Sequence, residues 1–146
     1  MTHFRIGGQE AEYLEVKILS RSHNARDYWD GNWLTVEINI AAGGFCGKFG
    51  AFLRADEIAL FHQEMTRLYS FESKEAKFET MEGQLSIDIQ GDQLGHFSAA
   101  CEAMDDAGVG NRLCFTLSFD QSHIPEILKR LDSVVDEYSV VGNPND

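Results

Sequence analysis

The side chains of this chain best suited to nucleophilic, acid–base or metal chemistry are five histidines, His3, His23, His62, His96 and His123, and three cysteines, Cys46, Cys101 and Cys114. Their spacing does not favour such chemistry. No histidine pair and no cysteine pair has the short interval of a zinc site. His62-Gln63-Glu64 supplies the His-x-Glu half of a zinc deaminase signature, but the Pro-Cys-x-x-Cys half is missing. Cys101 or Cys114 could be drawn as a nucleophile with His96 as its base. Each cysteine, however, alternates within a strand-like segment as a small core residue would. Gly43-Gly44, Gly47 and Gly50 fall in one hairpin rather than between a strand and a helix, so they do not cradle phosphate. Asp88 with Asp92, and Asp105 with Asp106, sit at turns, where aspartate bonds its own backbone. The reading is no catalytic residue, no metal and no cofactor.

A different chemistry is concentrated in Asp27-Tyr28-Trp29-Asp30-Gly31-Asn32-Trp33, which holds both tryptophans of the chain among carboxylates. One reading is structural: Asp30-Gly31 turns a hairpin, and the tryptophans cap the edge of the core. The other is recognition. Trp33 shares parity with Thr35, Glu37 and Asn39, which places it on the polar face of its strand. A large aromatic beside carboxylates on such a face has the composition of an interface anchor with an electrostatic guide. Asp27, Trp29, Asp30, Trp33 and Glu37 are therefore the candidate partner-binding residues. Glu72, Glu75, Glu79, Glu82, Asp88 and Asp92 form a second acidic series that two adjacent strands could display together.

Twenty-four acidic against twelve basic residues give a formal charge of -12 over 146 residues. Backbone phosphates and anionic lipid surfaces repel such a chain, so direct nucleic-acid binding and membrane binding are disfavoured. A basic protein is attracted, and associates faster at low salt. Met1–Gly8 lacks the basic and apolar regions of a signal peptide, and no apolar run reaches the roughly 20 residues of a membrane span. With an odd number of cysteines, this reads as a cytoplasmic protein with reduced core thiols.

Positioning these residues requires a particular series of elements. The length suits one domain, 1–146, with a polar, frayed tail at 142–146. Phe4–Ile6 and Tyr13–Leu19 alternate as strands. Leu34, Val36, Ile38 and Ile40 mark a half-buried strand by strict period two, and Phe45–Arg54 returns from it. The period then changes: Ile58, Phe61, Met65 and Leu68 define an amphipathic helix with Asp56 as N-cap. Strands follow at 76–81, 85–90, 95–104 and 112–119. A second helix starts near Ser122 with Pro125 in its first turn, and its stripe runs Ile124, Ile127, Leu128, Leu131, Val134, Val135, Tyr138. The order ββββα-ββββα implies an α+β fold, with about eight antiparallel strands and two helices. A slide of 66 positions lays Phe49, Leu53, Ile58, Phe61, Met65 and Leu68 over Phe115, Phe119, Ile124, Ile127, Leu131 and Val134, which suggests an internal duplication.

Asp27–Leu34, the glycine-spaced Gly47-Lys48-Phe49-Gly50-Ala51-Phe52-Leu53, and Phe115-x-Leu117-x-Phe119-Asp120-Gln121-Ser122 before the last helix together resemble the WapI-like family of immunity proteins. The resemblance runs from about Phe4 to Tyr138. It implies a cytoplasmic protein that neutralises the C-terminal tip of a contact-dependent toxin, in the founding case a tRNA-cleaving nuclease. The partner it implies is a basic toxin domain whose groove is occluded by an acidic phosphate mimic. Two alternatives stand beside it. One is a small-molecule-binding or metabolic domain with a pocket near Phe97 and Cys101; the other is a homodimer that buries Trp29 and Trp33.

Overall fold

The computed structural model describes residues 2–9 and 11–146. Two antiparallel sheets of four strands each, ordered β1-β2-β3-β4 and β5-β6-β7-β8, follow the chain without a crossover. The first sheet comprises β1 (Thr2–Gln9), β2 (Glu12–Arg21), β3 (Trp33–Ala42) and β4 (Phe45–Arg54). The second comprises β5 (Glu75–Glu79), β6 (Leu85–Gly91), β7 (His96–Met104) and β8 (Arg112–Asp120). One-turn helix α1 (Tyr28–Gly31) precedes β3, α2 (Ala55–Tyr69) follows β4, and α3 (Ile124–Glu137) follows β8 after a 3-10 turn. The expected α+β order ββββα-ββββα is the observed one.

The helices are exchanged between the sheets. Helix α2 leaves the first sheet and packs on β5 of the second; α3 leaves the second and packs on β1 of the first; the two helices pack on each other. The 66-residue offset has its counterpart in space. The buried stripe Ile58, Phe61, Met65, Leu68 of α2 maps onto Ile124, Ile127, Leu131, Val134 of α3. At the junction Phe61 of α2 meets Phe4 of β1 and Phe78 of β5, with ring centroids 6.1 and 5.2 Å away. Three aromatic rings thus join both sheets through one helix, in geometries that add to simple area burial.

Local chemistry sets the element boundaries. Gly7 lies in a β-bulge at φ +126°, where an added Cβ would stand 2.6 Å from the Glu12 carbonyl oxygen. The Gly7-Gly8 pair therefore bends β1, which continues to Gln9, past the Phe4–Ile6 alternation. Helix α2 begins one residue after an extended Arg54, whose backbone N–H donates to the Glu57 carboxylate at 2.8 Å. This corrects the assignment of Asp56 as N-cap: its carboxylate turns back to the Arg54 guanidinium instead. The remaining oxygen of Glu57 accepts from Met81 N–H, and Glu64 accepts from Lys77 N–H at 3.0 Å. Two helix glutamates thereby occupy one backbone donor of the edge strand β5 and one in the turn that follows it.

The cysteines divide by strand parity, which corrects the expectation that all three are core thiols. Cys101 is buried, and burial pushes its thiol up to about 12. Cys46 and Cys114 are exposed because they share the outward strand face with Lys48 and Arg112. The tail is also more anchored than expected: Gly142 packs so closely on the Tyr28 backbone that an added Cβ would lie 2.4 Å from its nitrogen.

Phe61→Ala is expected to destabilise the protein by about 3–5 kcal/mol in urea unfolding, because both sheets lose the ring between them. Phe45→Ala, at an exposed hairpin end, is expected to change stability by less than about 1 kcal/mol.

Candidate functional site

Residues 27–33 fold around a buried cation. Asp27 has extended backbone and its carboxylate accepts from Asp30 N–H at 3.1 Å, which nucleates the single turn of α1. This replaces the expected Asp30-Gly31 hairpin turn. The turn lays Tyr28 and Trp29 over the end of the first sheet, where Trp33 of β3 pairs with Arg54 of β4. Arg54 is 1 % exposed. Its Nε donates to Asp56 at 2.9 Å, and its two terminal nitrogens donate to the Trp29 and Tyr28 carbonyls at 2.8 Å each. The guanidinium carbon lies 5.1, 5.5 and 5.1 Å from the rings of Tyr28, Trp29 and Trp33. These are cation–π distances, in a setting where water is largely excluded. The Tyr28 hydroxyl closes the cage by donating to the second oxygen of Asp56 at 3.1 Å, and desolvation raises its pKa.

A second layer holds the cage against the C-terminal segment. Asn32 is fully buried. Its amide donates to the Tyr28 and Val141 carbonyls, its side-chain oxygen accepts from Val141 N–H, and its carbonyl accepts from Ala55 N–H at the start of α2. Arg21 adds bonds to the Gly31 and Ser139 carbonyls. Neither Arg54 nor Asn32 stood out in the sequence. The available signal was a cation in register with the outward Phe52, at the junction of a strand and a helix.

Four of the five candidate residues come together at this end of the molecule. Asp27 and Asp30 are exposed, Trp29 is 51 % exposed, and Trp33 is half-buried with part of its surface free. Glu37 stands apart, four residues further along β3 and so about 13 Å from Trp33. It lies in a ladder across the outer face of the first sheet. Arg5 meets Glu15 at 2.9 Å, Lys17 lies 3.7 Å from Glu15 and 3.9 Å from Glu37, and Lys48 lies 3.9 Å from Glu37. Its charge is already matched by two lysines. Beside Trp33 a groove of about 470 Å³ runs between Phe52 of β4 and two loops of the second sheet, which bring Glu82 and Ala107 to its rim. In the second acidic series, Glu75, Glu79 and Asp88 share the outer face of the second sheet, with Lys77 opposite Asp88.

A cleft of about 590 Å³ is lined by Gln90, Asp92, His96, Phe97, Asp120 and His123, and it opens to solvent. Phe97 contributes to it; Cys101 does not. His96 Nδ1 lies 2.9 Å from Asp92, and His123 Nδ1 lies 2.9 Å from Asp120. Backbone N–H groups of His96 and Leu94 lower the pKa of Asp92, and the Ser122 hydroxyl, followed by its backbone N–H, lowers that of Asp120. The local work of these bonds is to hold the 92–96 turn and the turn into α3. Among the described residues, no group of three or more His, Cys, Asp or Glu is arranged to hold a metal ion. No helix is long and apolar enough to cross a membrane.

The family model of the immunity protein WapI-like family matches residues 5–139, and the chain belongs to that family. No curated protein matches it. Among solved structures it is similar to Trypanosoma bruciei MRP1/MRP2, at 10% identity and a TM-score of 0.50 over 92% of this chain and 84% of that one. It is also similar to a guide-RNA-binding protein complex bound to a gRNA, at 11% identity and a TM-score of 0.50 over 92% and 89%. These two likenesses concern the fold alone.

Arg54→Met is expected to cost about 3–5 kcal/mol, because it leaves Asp56 and two carbonyls unpaired, and to shift tryptophan emission to the red. Arg54→Lys should not restore stability, since one ammonium cannot span the same three acceptors. A pH effect is expected nearby. Burial is the largest influence on Glu57 and raises its pKa above the ordinary 4.5. The folded state therefore holds its proton more tightly, and the contribution of Glu57 declines as pH rises from about 4.5 through the raised folded value. Over that window the urea midpoint of wild type should fall relative to that of Glu57→Gln as pH increases.

Proposed function

We propose that this chain is a non-catalytic immunity protein that binds a basic toxin domain in the cytoplasm and occludes its working groove. The observation that carries this reading is membership of the immunity family over nearly the whole chain. The charge of -12 supports a basic partner, since complementary fields speed encounter and select against other partners. One of the solved structures of similar fold is described as bound to a gRNA. With twice as many acidic as basic residues, this chain would repel a phosphate backbone and suits a protein that competes for the RNA-binding groove of a nuclease.

The docking surface we propose is the end of the first sheet, where Trp29 and Trp33 provide rigid apolar area, and Asp27 and Asp30, which form no ion pair among the described residues, provide exposed charge. The cage behind it keeps both indoles in place before the partner arrives, which lowers the entropic penalty of association. Glu37, matched by Lys17 and Lys48, contributes less to this surface than its position on the strand suggested.

The test is to recover partners of the tagged chain at low and high salt, purify the basic protein retained, and ask whether the chain protects cells that express it. Asp27→Asn with Asp30→Asn is expected to slow association several-fold and flatten its salt dependence, while Trp29→Ala speeds dissociation. Glu37→Gln should change either rate by less than about twofold. A chain that captures no basic protein and gives no protection overturns the reading.

A further inference from the structure

We infer that the groove beside Trp33 receives an arginine side chain of the partner, seated between two aromatic walls with Glu82 as its counter-ion. This rests on the immunity reading and names the chemistry at the edge of the same site.

The groove is built from both sheets. Trp33 and Phe52 project from neighbouring strands on the outer face of the first sheet. Thr35 pairs with Phe52, so Trp33 is its diagonal neighbour, within reach of an aromatic side chain. Phe52 is 51 % exposed, although most of this face is an ion ladder rather than an apolar patch. Opposite these walls stand Ala107, from the β7–β8 loop, and Glu82, from the β5–β6 turn. Among the described residues no lysine, arginine or histidine lies within ion-pair distance of Glu82. His23, from the loop after β2, is the other titratable residue lining the groove.

Charge complementarity selects the occupant. Planar rings attract a cation over their faces, and a carboxylate completes a guanidinium site with two parallel hydrogen bonds. The protein already uses this chemistry on the other side of Trp33, where Arg54 lies 5.1 Å from the ring centroid with Asp56 as its counter-ion. Trp33 is then a shared wall between an internal arginine and an external one. A lysine fits less well, because its compact, strongly hydrated ammonium lacks the planar fork.

The experiment is a titration with N-acetyl-argininamide, followed at the two tryptophan indole N–H resonances, with N-acetyl-lysinamide as control. Saturable movement of the Trp33 resonance is expected, larger than that of Trp29 and several-fold weaker with the lysine compound. Phe52→Ala and Glu82→Gln, both exposed positions, should each weaken it about three- to tenfold. The absence of movement at Trp33, or equal titration in wild type and both variants, overturns the proposal. The same variants separate this inference from the function it rests on. A toxin domain bound with unchanged affinity by Phe52→Ala and Glu82→Gln removes the groove and leaves the immunity reading. Argininamide seated in a chain that protects against no toxin removes the immunity reading and leaves an arginine site.

Discussion

A buried guanidinium governs the architecture of the functional end of this protein. Desolvating a charge is prohibitive unless every polar demand is met, and Arg54 meets them with one carboxylate, two backbone carbonyls and three aromatic faces. Each of those partners has to be delivered from a different place. Asp56 comes from the first turn of α2, Trp33 from the start of β3, and the two carbonyls from a helix of a single turn. Such a helix has little stability of its own. It persists because Arg54 and Asn32 bind its carbonyls and Asp27 caps it. The exposed edges of Trp29 and Trp33 therefore owe their positions to an interaction that is almost invisible from outside.

The exchange of helices serves the same end on a larger scale. Each sheet contributes the helix that covers the first strand of the other, while Phe61 of α2 still reaches Phe4 of its own sheet. The repeated stripe in α2 and α3 makes the two packings equivalent in register. It also brings the β5–β6 and β7–β8 turns alongside the outer face of the first sheet, where Glu82 and Ala107 complete the groove. The groove on one sheet thus depends on docking of the other.

Much of the scaffold was legible from the chain because its signals are periodic. The strict alternation from Leu34 to Ile40, the three-to-four spacing from Ile58 to Leu68, and Pro125 near the start of the last helix lead to elements within a few residues of the observed bounds. What the sequence concealed are features that depend on long-range partners. Asp30-Gly31 reads as a hairpin turn by local preference, yet it ends a helical turn because Arg54, more than twenty residues away, recruits the Tyr28 and Trp29 carbonyls. Glu37 reads as a free carboxylate until the register of β2 and β4 brings Lys17 and Lys48 beside it. Cys46 and Cys114 read as core residues because alternation defines two faces without saying which one is inside. Asp27, Trp29, Asp30 and Trp33 were legible as a cluster; the groove formed with Glu82 was not, since it joins segments almost fifty residues apart.

The bonds between Asn32 and Val141 span 109 positions of sequence. On the ribosome, residues 27–33 emerge long before the C-terminal segment that secures them. The indoles and the Arg54 guanidinium are without their final enclosure until synthesis has passed residue 141. The proposed docking surface is among the earlier segments made and among the last to be finished, so an interrupted chain would carry residues 27–33 without the geometry that encloses them.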